Sequence, residues 1–219
     1  MRSPCDRVTP GMLLKAYSIG VFPMAGSVDD PWIVWVAPQR RGILPLESFH
    51  VSRSLRRRIR KGEYRILVNA DFDGTVAGCA NRPTTWISGG IRHLFNALHQ
   101  SGCAHSIEVH DLAGSKVGGL YGLAIGGAFF AESMYSLATD ASKIALAHLV
   151  ARLRYGGFRL LDVQFLSPHL ASLGAIELSA ESYRIRLDAA LAVGTRADFF
   201  SLPDSVEPAE ILRLTCSET

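Results

Sequence analysis

Cysteine is scarce in this chain. Its four copies, Cys5, Cys79, Cys103 and Cys216, lie far apart along 219 residues and form no CxxC pair. Neither a zinc site nor a disulfide framework is indicated, and reduced thiols in a soluble cytoplasmic protein are the simplest account. Long apolar runs are missing as well. No charge-free stretch reaches the ~20 residues of a membrane-spanning helix, and the opening MRSPCDRVTP has no signal-peptide apolar region. The usual reaction motifs are absent: there is no GxSxG elbow, no GxxxxGKS/T phosphate loop and no Cys/His constellation. No metal and no cofactor is therefore expected. Net charge is only +3, so the overall balance says little about partners.

The distribution of charge says more. Seven basic residues (Arg53, Arg56, Arg57, Arg58, Arg60, Lys61 and Arg65) stand against the single acid Glu63. The first six fall in a predicted helix, Ser52 to Lys61, with Leu55 and Ile59 on its inner side. A solvated face is the plain reading. Contact with nucleic-acid phosphates is the other, and the shortage of nearby acids favours it.

Elsewhere apolar spacing predicts a helix from Thr9–Pro10 to Gly20 and a strand over 32–36. An irregular connection over 37–49 carries two arginines and two prolines. Then come a strand over 64–69, helices over 71–81 and 91–100, and a strand over 105–110. Val117–Ile125 and Ala128–Tyr135 read as a hairpin turned at Gly126–Gly127. A long helix over 140–155, a buried strand over 158–163, a short turn or helix near 169–175 and a helix over 181–193 follow. The tail after Phe200 shows no clear pattern. This order predicts an α/β (α+β) chain: a small N-terminal domain over 1–62 and a mixed-sheet domain over 63–219, with no flexible linker between them.

Polar residues in apolar surroundings are the candidates for chemistry. Glu132 interrupts the second hairpin strand. It is either an edge residue facing water or a site for something cationic, since a buried lone carboxylate is costly to desolvate. Asp162 and Gln164, two apart on a strand, share a face and could together hold an amine. They could equally cap the following turn. Ser142 and Lys143 open the long helix. In VFPMAG the apolar groups either staple a loop to the core or line a pocket. A coenzyme A phosphate loop is not evident: its nearest string, Gln39 to Leu44, lacks the last small residue.

A set of motifs occurs in a telling order: YSIGVFPM (17–24), PQRRGILP (38–45), TWI (85–87), HSIEV (105–109), GGLYG (118–122), AESMYS (131–136), ASK (141–143), LDVQF (161–165) and HLASLGA (169–175). Together they resemble the leucyl/phenylalanyl-tRNA–protein transferases. The resemblance implies an acetyltransferase-like (GNAT-type) larger domain. It implies transfer of Leu, and also Phe and Met, from aminoacyl-tRNA to the N-terminal Arg or Lys of acceptor proteins, which marks them for the N-degron pathway. By resemblance Asp162 and Gln164 position the acceptor amine, and Glu132 binds the acceptor end of the peptide. Trp86, with Met24 where some members have Trp, lies by the 3′ adenosine. Leu120, Phe129 and Met134 line the side-chain pocket, and the Arg-rich helix receives the acceptor stem. A monomer away from membranes is expected. An acetyl-CoA acetyltransferase and a non-catalytic RNA-binding module are the competing readings.

Overall fold

The structure, a computed structural model, describes residues 1–204 and 206–215. The chain begins with a strand, β1 (Arg2–Pro4), and a helix, α1 (Pro10–Ser18). Thr9 caps α1 by accepting the Met12 N–H, and Pro10 occupies the first turn. Next come β2 (Phe22–Met24) and β3 (Trp32–Val36). These strands form a three-stranded antiparallel sheet in the order β1-β3-β2.

The next strand, β4 (Arg40–Ile43), lies where an irregular connection was expected. It pairs with two strands from the far end of the chain, β9 (Leu160–Gln164) and β10 (Ile176–Ser179). It therefore belongs to the large seven-stranded sheet. Three helices and one strand continue the chain: α2 (Arg53–Lys61), β5 (Arg65–Val68), α3 (Phe72–Ala80) and α4 (Gly89–Gln100). Ser52, Asp71 and Ser88 cap α2, α3 and α4, each by accepting a backbone N–H three residues on. The central meander is β6 (Ala104–His110), β7 (Lys116–Ile125) and β8 (Ala128–Ser136). The long helix α5 (Ala141–Tyr155) then carries the chain to β9, which lies parallel to β8. The sheet order is β10-β4-β9-β8-β7-β6-β5, antiparallel except at β8/β9. An antiparallel meander is thus joined through a helix to one parallel strand, which makes the large sheet mixed as expected.

Three helices close the described chain: α6 (Pro168–Ser172), α7 (Ala180–Leu191) and α8 (Pro208–Thr215). The patternless tail thus contains a helix, which buries Ile211 and Leu212. Both faces of the large sheet are covered. On one, Leu55 and Ile59 of α2, the apolar face of α5 and Ile211 of α8 meet Ile107, Leu120, Phe129 and Leu161. On the other, α1, α3, α4, α7 and the small sheet pack against Tyr121, Phe130 and Leu160. The basic helix is therefore anchored in the core of the large sheet. Each fully buried Leu or Ile supplies ~1.5–3 kcal/mol, so Leu55 and Ile59 hold a helix whose other faces are charged. No helix among the described residues is long and apolar enough to cross a membrane.

Candidate active site

The register of the hairpin decides where Glu132 points. Tyr121 of β7 pairs with Ser133 and Gly122 pairs with Ala131, so Glu132 is the extra residue of a bulge. A bulge re-aims the side chain it carries. Gly122 permits it: a Cβ there would sit 2.3 Å from the Phe130 carbonyl oxygen and 2.5 Å from the Phe129 ring. The strand glycines mark close approach by neighbouring strands, and Glu132 turns inward, 7 % exposed. It does not face water. Burial pushes its carboxyl up to about 8, with the nearby Asp162 charge adding to the effect and Tyr17 and Arg41 opposing it. The Tyr17 and Tyr121 side chains are also fully buried, and the Tyr17 hydroxyl lies close enough to Glu132 to temper its upward shift. Burial and the Glu132 charge both push their pKa values up.

The parallel ladder between β8 and β9 runs from Ala128–Leu160 to Phe130–Asp162 and stops. Beyond that point β9 pairs with β4, and the two strands part. Across the opening the Gln164 Nε2 donates to Glu132 Oε1 at 3.2 Å. Gln164 ends β9 with φ +56°, a left-handed conformation in a non-glycine residue. Its backbone N–H donates to Asp162 Oδ1 at 2.8 Å. Asp162 does cap its turn, then, while its carboxylate is also fully paired. Arg41 Nε donates to both oxygens at 3.0 Å, Arg41 Nη2 donates to Oδ2 at 2.7 Å, and the Tyr183 hydroxyl donates to Oδ2 as well. Arg41 and Asp162 are 1 % and 0 % exposed. Burial works against the Arg41 charge, but Asp162 more than offsets it and raises the pKa of the guanidinium. Removing one partner of such a pair costs about 3–5 kcal/mol, because it leaves a buried charge alone.

A cavity of about 50 Å³ opens beside this pair, lined by Phe22, Met24, Trp86, Glu132, Gln164 and Phe165. The Trp86 carbonyl accepts the Ala25 N–H at 3.1 Å, which ties the Trp86 loop to the end of β2. Met24, Trp86, Glu132 and Gln164 are thus brought together, with Asp162 directly behind. Of VFPM, Phe22–Met24 form a strand whose Phe22 and Met24 wall the cavity. Leu120, Phe129 and Met134 lie on the other face of the sheet, in the core shared with α5. Ser142 and Lys143 start α5, where Lys143 Nζ pairs with Asp140 at 2.8 Å and the Ser142 N–H donates to Ser136 Oγ. Asp140 in turn lines a cleft of about 480 Å³ with Thr139 and with Ser54, Arg57, Arg58 and Lys61 of the basic helix. Arg53 and Arg60 are exposed and Arg56 is half-buried on the same helix.

The family model described as leucyl/phenylalanyl-tRNA protein transferase matches residues 43–188, and that of the family's N-terminal domain matches residues 6–39. The chain belongs to this family. A relative in Cereibacter sphaeroides is 54 % identical over 206 residues, covering 94 % of this chain and 95 % of its own. One in Ruegeria pomeroyi is 52 % identical over 206 residues, covering 94 % and 97 %. Both are named leucyl/phenylalanyl-tRNA–protein transferase. Among solved structures, L-PGS from Bacillus licheniformis aligns with 68 % of this chain and 56 % of its own at 12 % identity and a TM-score of 0.44.

The N-terminal family unit contains β2 and β3, and the larger one contains α2 and the strands from β5 to β10. The site draws on both, taking Phe22 and Met24 from the first and Glu132 and Gln164 from the second. Sequence reasoning missed Arg41 and Tyr183. A signal existed: an Asp inside LLDVQF, surrounded by apolar residues, requires a cation, and paired arginines stand in PQRRGILP, although 121 residues separate Arg41 from Asp162.

Proposed function

We propose that this chain moves Leu, and also Phe and Met, from aminoacyl-tRNA to the N-terminal Arg or Lys of acceptor proteins, marking them for the N-degron pathway. Family membership gives the reaction class, aminoacyl transfer from tRNA to protein. The observation that supports a particular place for it is the Glu132–Gln164 pair, spanning the opening between β8 and β9 in an aromatic-walled cavity.

The chemistry suits such a site. An aminoacyl ester is already activated. The acceptor α-amine attacks its carbonyl carbon, the new amide C–N bond forms and the ester C–O bond to the ribose breaks. The amine gives up one proton and the ribose oxygen takes one, so the products are an extended protein and an uncharged tRNA. A free α-amine titrates near 7.7–8.0, so a useful fraction is neutral at physiological pH. Orientation then does most of the work and can contribute ~7–11 kcal/mol. With its Nε2 given to Glu132, Gln164 has its carbonyl oxygen left to accept a hydrogen bond from the amine. Glu132 supplies a countercharge for a cationic acceptor end.

At about 50 Å³ the cavity is far below the ~300–1,000 Å³ of ordinary ligand clefts. We assign it to the reacting groups. The moved side chain passes between the splayed strands towards Leu120, Phe129 and Met134, and the 3′ adenosine lies against Trp86 and Met24. Phosphates of the acceptor stem meet Arg53, Arg56, Arg57, Arg58, Arg60 and Lys61, with Ser142 and Lys143 at the near edge of that surface. The protein works as a monomer in the cytoplasm, without metal or cofactor.

The test mixes the purified protein with radiolabelled Leu-tRNA and two peptides that differ only in an N-terminal Arg or Asp. Label should appear on the Arg peptide alone. Label on the Asp peptide would overturn the acceptor assignment, and label on neither would overturn the transfer reading itself.

A further inference from the structure

Asp162 cannot meet the substrate. It is wholly buried, the cavity is lined by Glu132 and Gln164 in front of it, and both its oxygens are occupied by groups of the protein. Oδ1 accepts from the Gln164 N–H and from Arg41 Nε, while Oδ2 accepts from Arg41 Nε, Arg41 Nη2 and the Tyr183 hydroxyl. Its route to the chemistry runs through the backbone of Gln164. That backbone sits in a left-handed conformation which a glutamine adopts only when its surroundings impose it.

Arg41 has a second set of contacts. Its guanidinium lies 4.3 Å from the centre of the Phe22 ring and 5.0 Å from that of Tyr183, and Nη1 donates to the Gly20 carbonyl at 3.3 Å. Phe22 forms one wall of the cavity and meets Phe165, on another wall, edge to face at 5.5 Å. One side chain thus connects the carboxylate behind Gln164 with the aromatic wall opposite. Tyr183, from α7, completes the arrangement. Its hydroxyl stays protonated, because burial and the Asp162 charge both raise its pKa, and it donates to Asp162.

We propose that Arg41 and Tyr183 are positioning residues for the transfer step. With Asp162 they fix the turn that aims the Gln164 carboxamide at the acceptor amine, and through Phe22 they set the wall facing it. Neither touches substrate. The assignment rests on the transfer reading above and adds two residues to it. A purely structural role would lower stability, and with it every activity in proportion. A positioning role acts through Gln164 and disappears when Gln164 is removed.

The experiment is a double-mutant cycle on the full chain in single-turnover transfer from Leu-tRNA to the Arg peptide. It is accompanied by melting temperature and Leu-tRNA affinity. Tyr183→Phe removes only the hydroxyl and keeps the ring, whereas Arg41→Lys keeps the charge and loses the fork and the stacking. Tyr183→Phe should melt close to the parent and bind Leu-tRNA normally, yet transfer about tenfold more slowly with little change in peptide KM. Arg41→Lys should be about 10²-fold slower. In a Gln164→Ala background each change should cost less than about twofold more. Parent-like rates in Tyr183→Phe, or undiminished losses in the Gln164→Ala background, would overturn the proposal while the transfer reading stands. A parent protein that transfers no label at all would overturn both.

Discussion

At the scale of single residues, Glu132 is the side chain whose behaviour differs most from its exposed form. An unfolded Glu titrates near 4.5, and in the fold this carboxyl is pushed up to about 8 by burial. Between those values the folded chain keeps a proton that the unfolded chain has released. Stability is therefore fully present below about 4.5 and is lost as pH rises towards and through 8. The groups around it are Tyr17, Tyr121, Asp162 and Arg41, and Asp162 and Arg41 offset one another by pairing. Glu132→Gln replaces the carboxyl with a neutral group of the same shape. The variant should equal the parent in stability near pH 5 and exceed it by an amount on the order of a few kcal/mol near pH 8. Urea denaturation across that range measures it, and a difference that does not change with pH would contradict the buried-carboxyl account. The same shift bears on function: a cationic acceptor favours the ionised form, so binding an Arg peptide near pH 7 should release a proton. Calorimetry in buffers of different ionisation enthalpy would detect it.

Elements set these residues in place, and their legibility in the sequence varies with how local their cause is. Helix α2 was readable because its cap, its two apolar positions and its terminating Gly62 all lie within eleven residues. The β7–β8 hairpin announced itself by its Gly-Gly turn. Strand β4 did not, because four residues, two of them Arg, bracketed by Pro38 and Pro45, show no period of their own. The strand exists through its pairing with β9 and β10. Strand β10 is likewise four residues long and pairs with β4 alone. The bulge lies between these cases: the glycines at 118, 119 and 122 were visible, but only the register shows that Gly122 serves Glu132. Gly122→Ala should destabilise the protein by about 1–3 kcal/mol, since its Cβ meets backbone 2.3 Å away. It should also lower transfer more than the loss of folded protein explains. A parent-like melting temperature would show that the hairpin adjusts at little cost. For α2, Arg57→Ala with Arg58→Ala should weaken Leu-tRNA binding and reduce the slope of log affinity against log salt by about 1–2. An unchanged slope would return this face to plain solvation.

Across the whole molecule, the candidate site is made by segments that meet from distant parts of the chain, and this is why the sequence disclosed only part of it. Asp162, Gln164 and Glu132 are conspicuous as polar groups in apolar strands, whereas Arg41 and Tyr183 acquire meaning only when β4 and α7 are laid beside β9. The end of the chain contributes in the same way. Arg152 of α5, 3 % exposed, donates to the Phe199, Leu202 and Pro203 carbonyls and pairs with Asp204. This holds Phe199 against Phe129 and His105, with ring centres 5.5 and 4.3 Å apart. Burial lowers the His105 pKa to about 4, so that ring stacks in its neutral form near neutral pH. Phe129, which we assign to the side-chain pocket, is thus backed by a segment seventy residues further along the chain. Arg152→Met fills similar space but leaves three carbonyls without their donor. It should cost about 2–4 kcal/mol in denaturant unfolding, because each buried unsatisfied group costs about 1–3 kcal/mol and the segment can partly reach water. A freed segment would also let Phe129 shift, so the preference for Leu over Ala in transfer should narrow, while Leu-tRNA binding through α2 is retained. Loss of stability with an unchanged Leu-to-Ala ratio would confine Arg152 to the fold and place the limits of the pocket elsewhere.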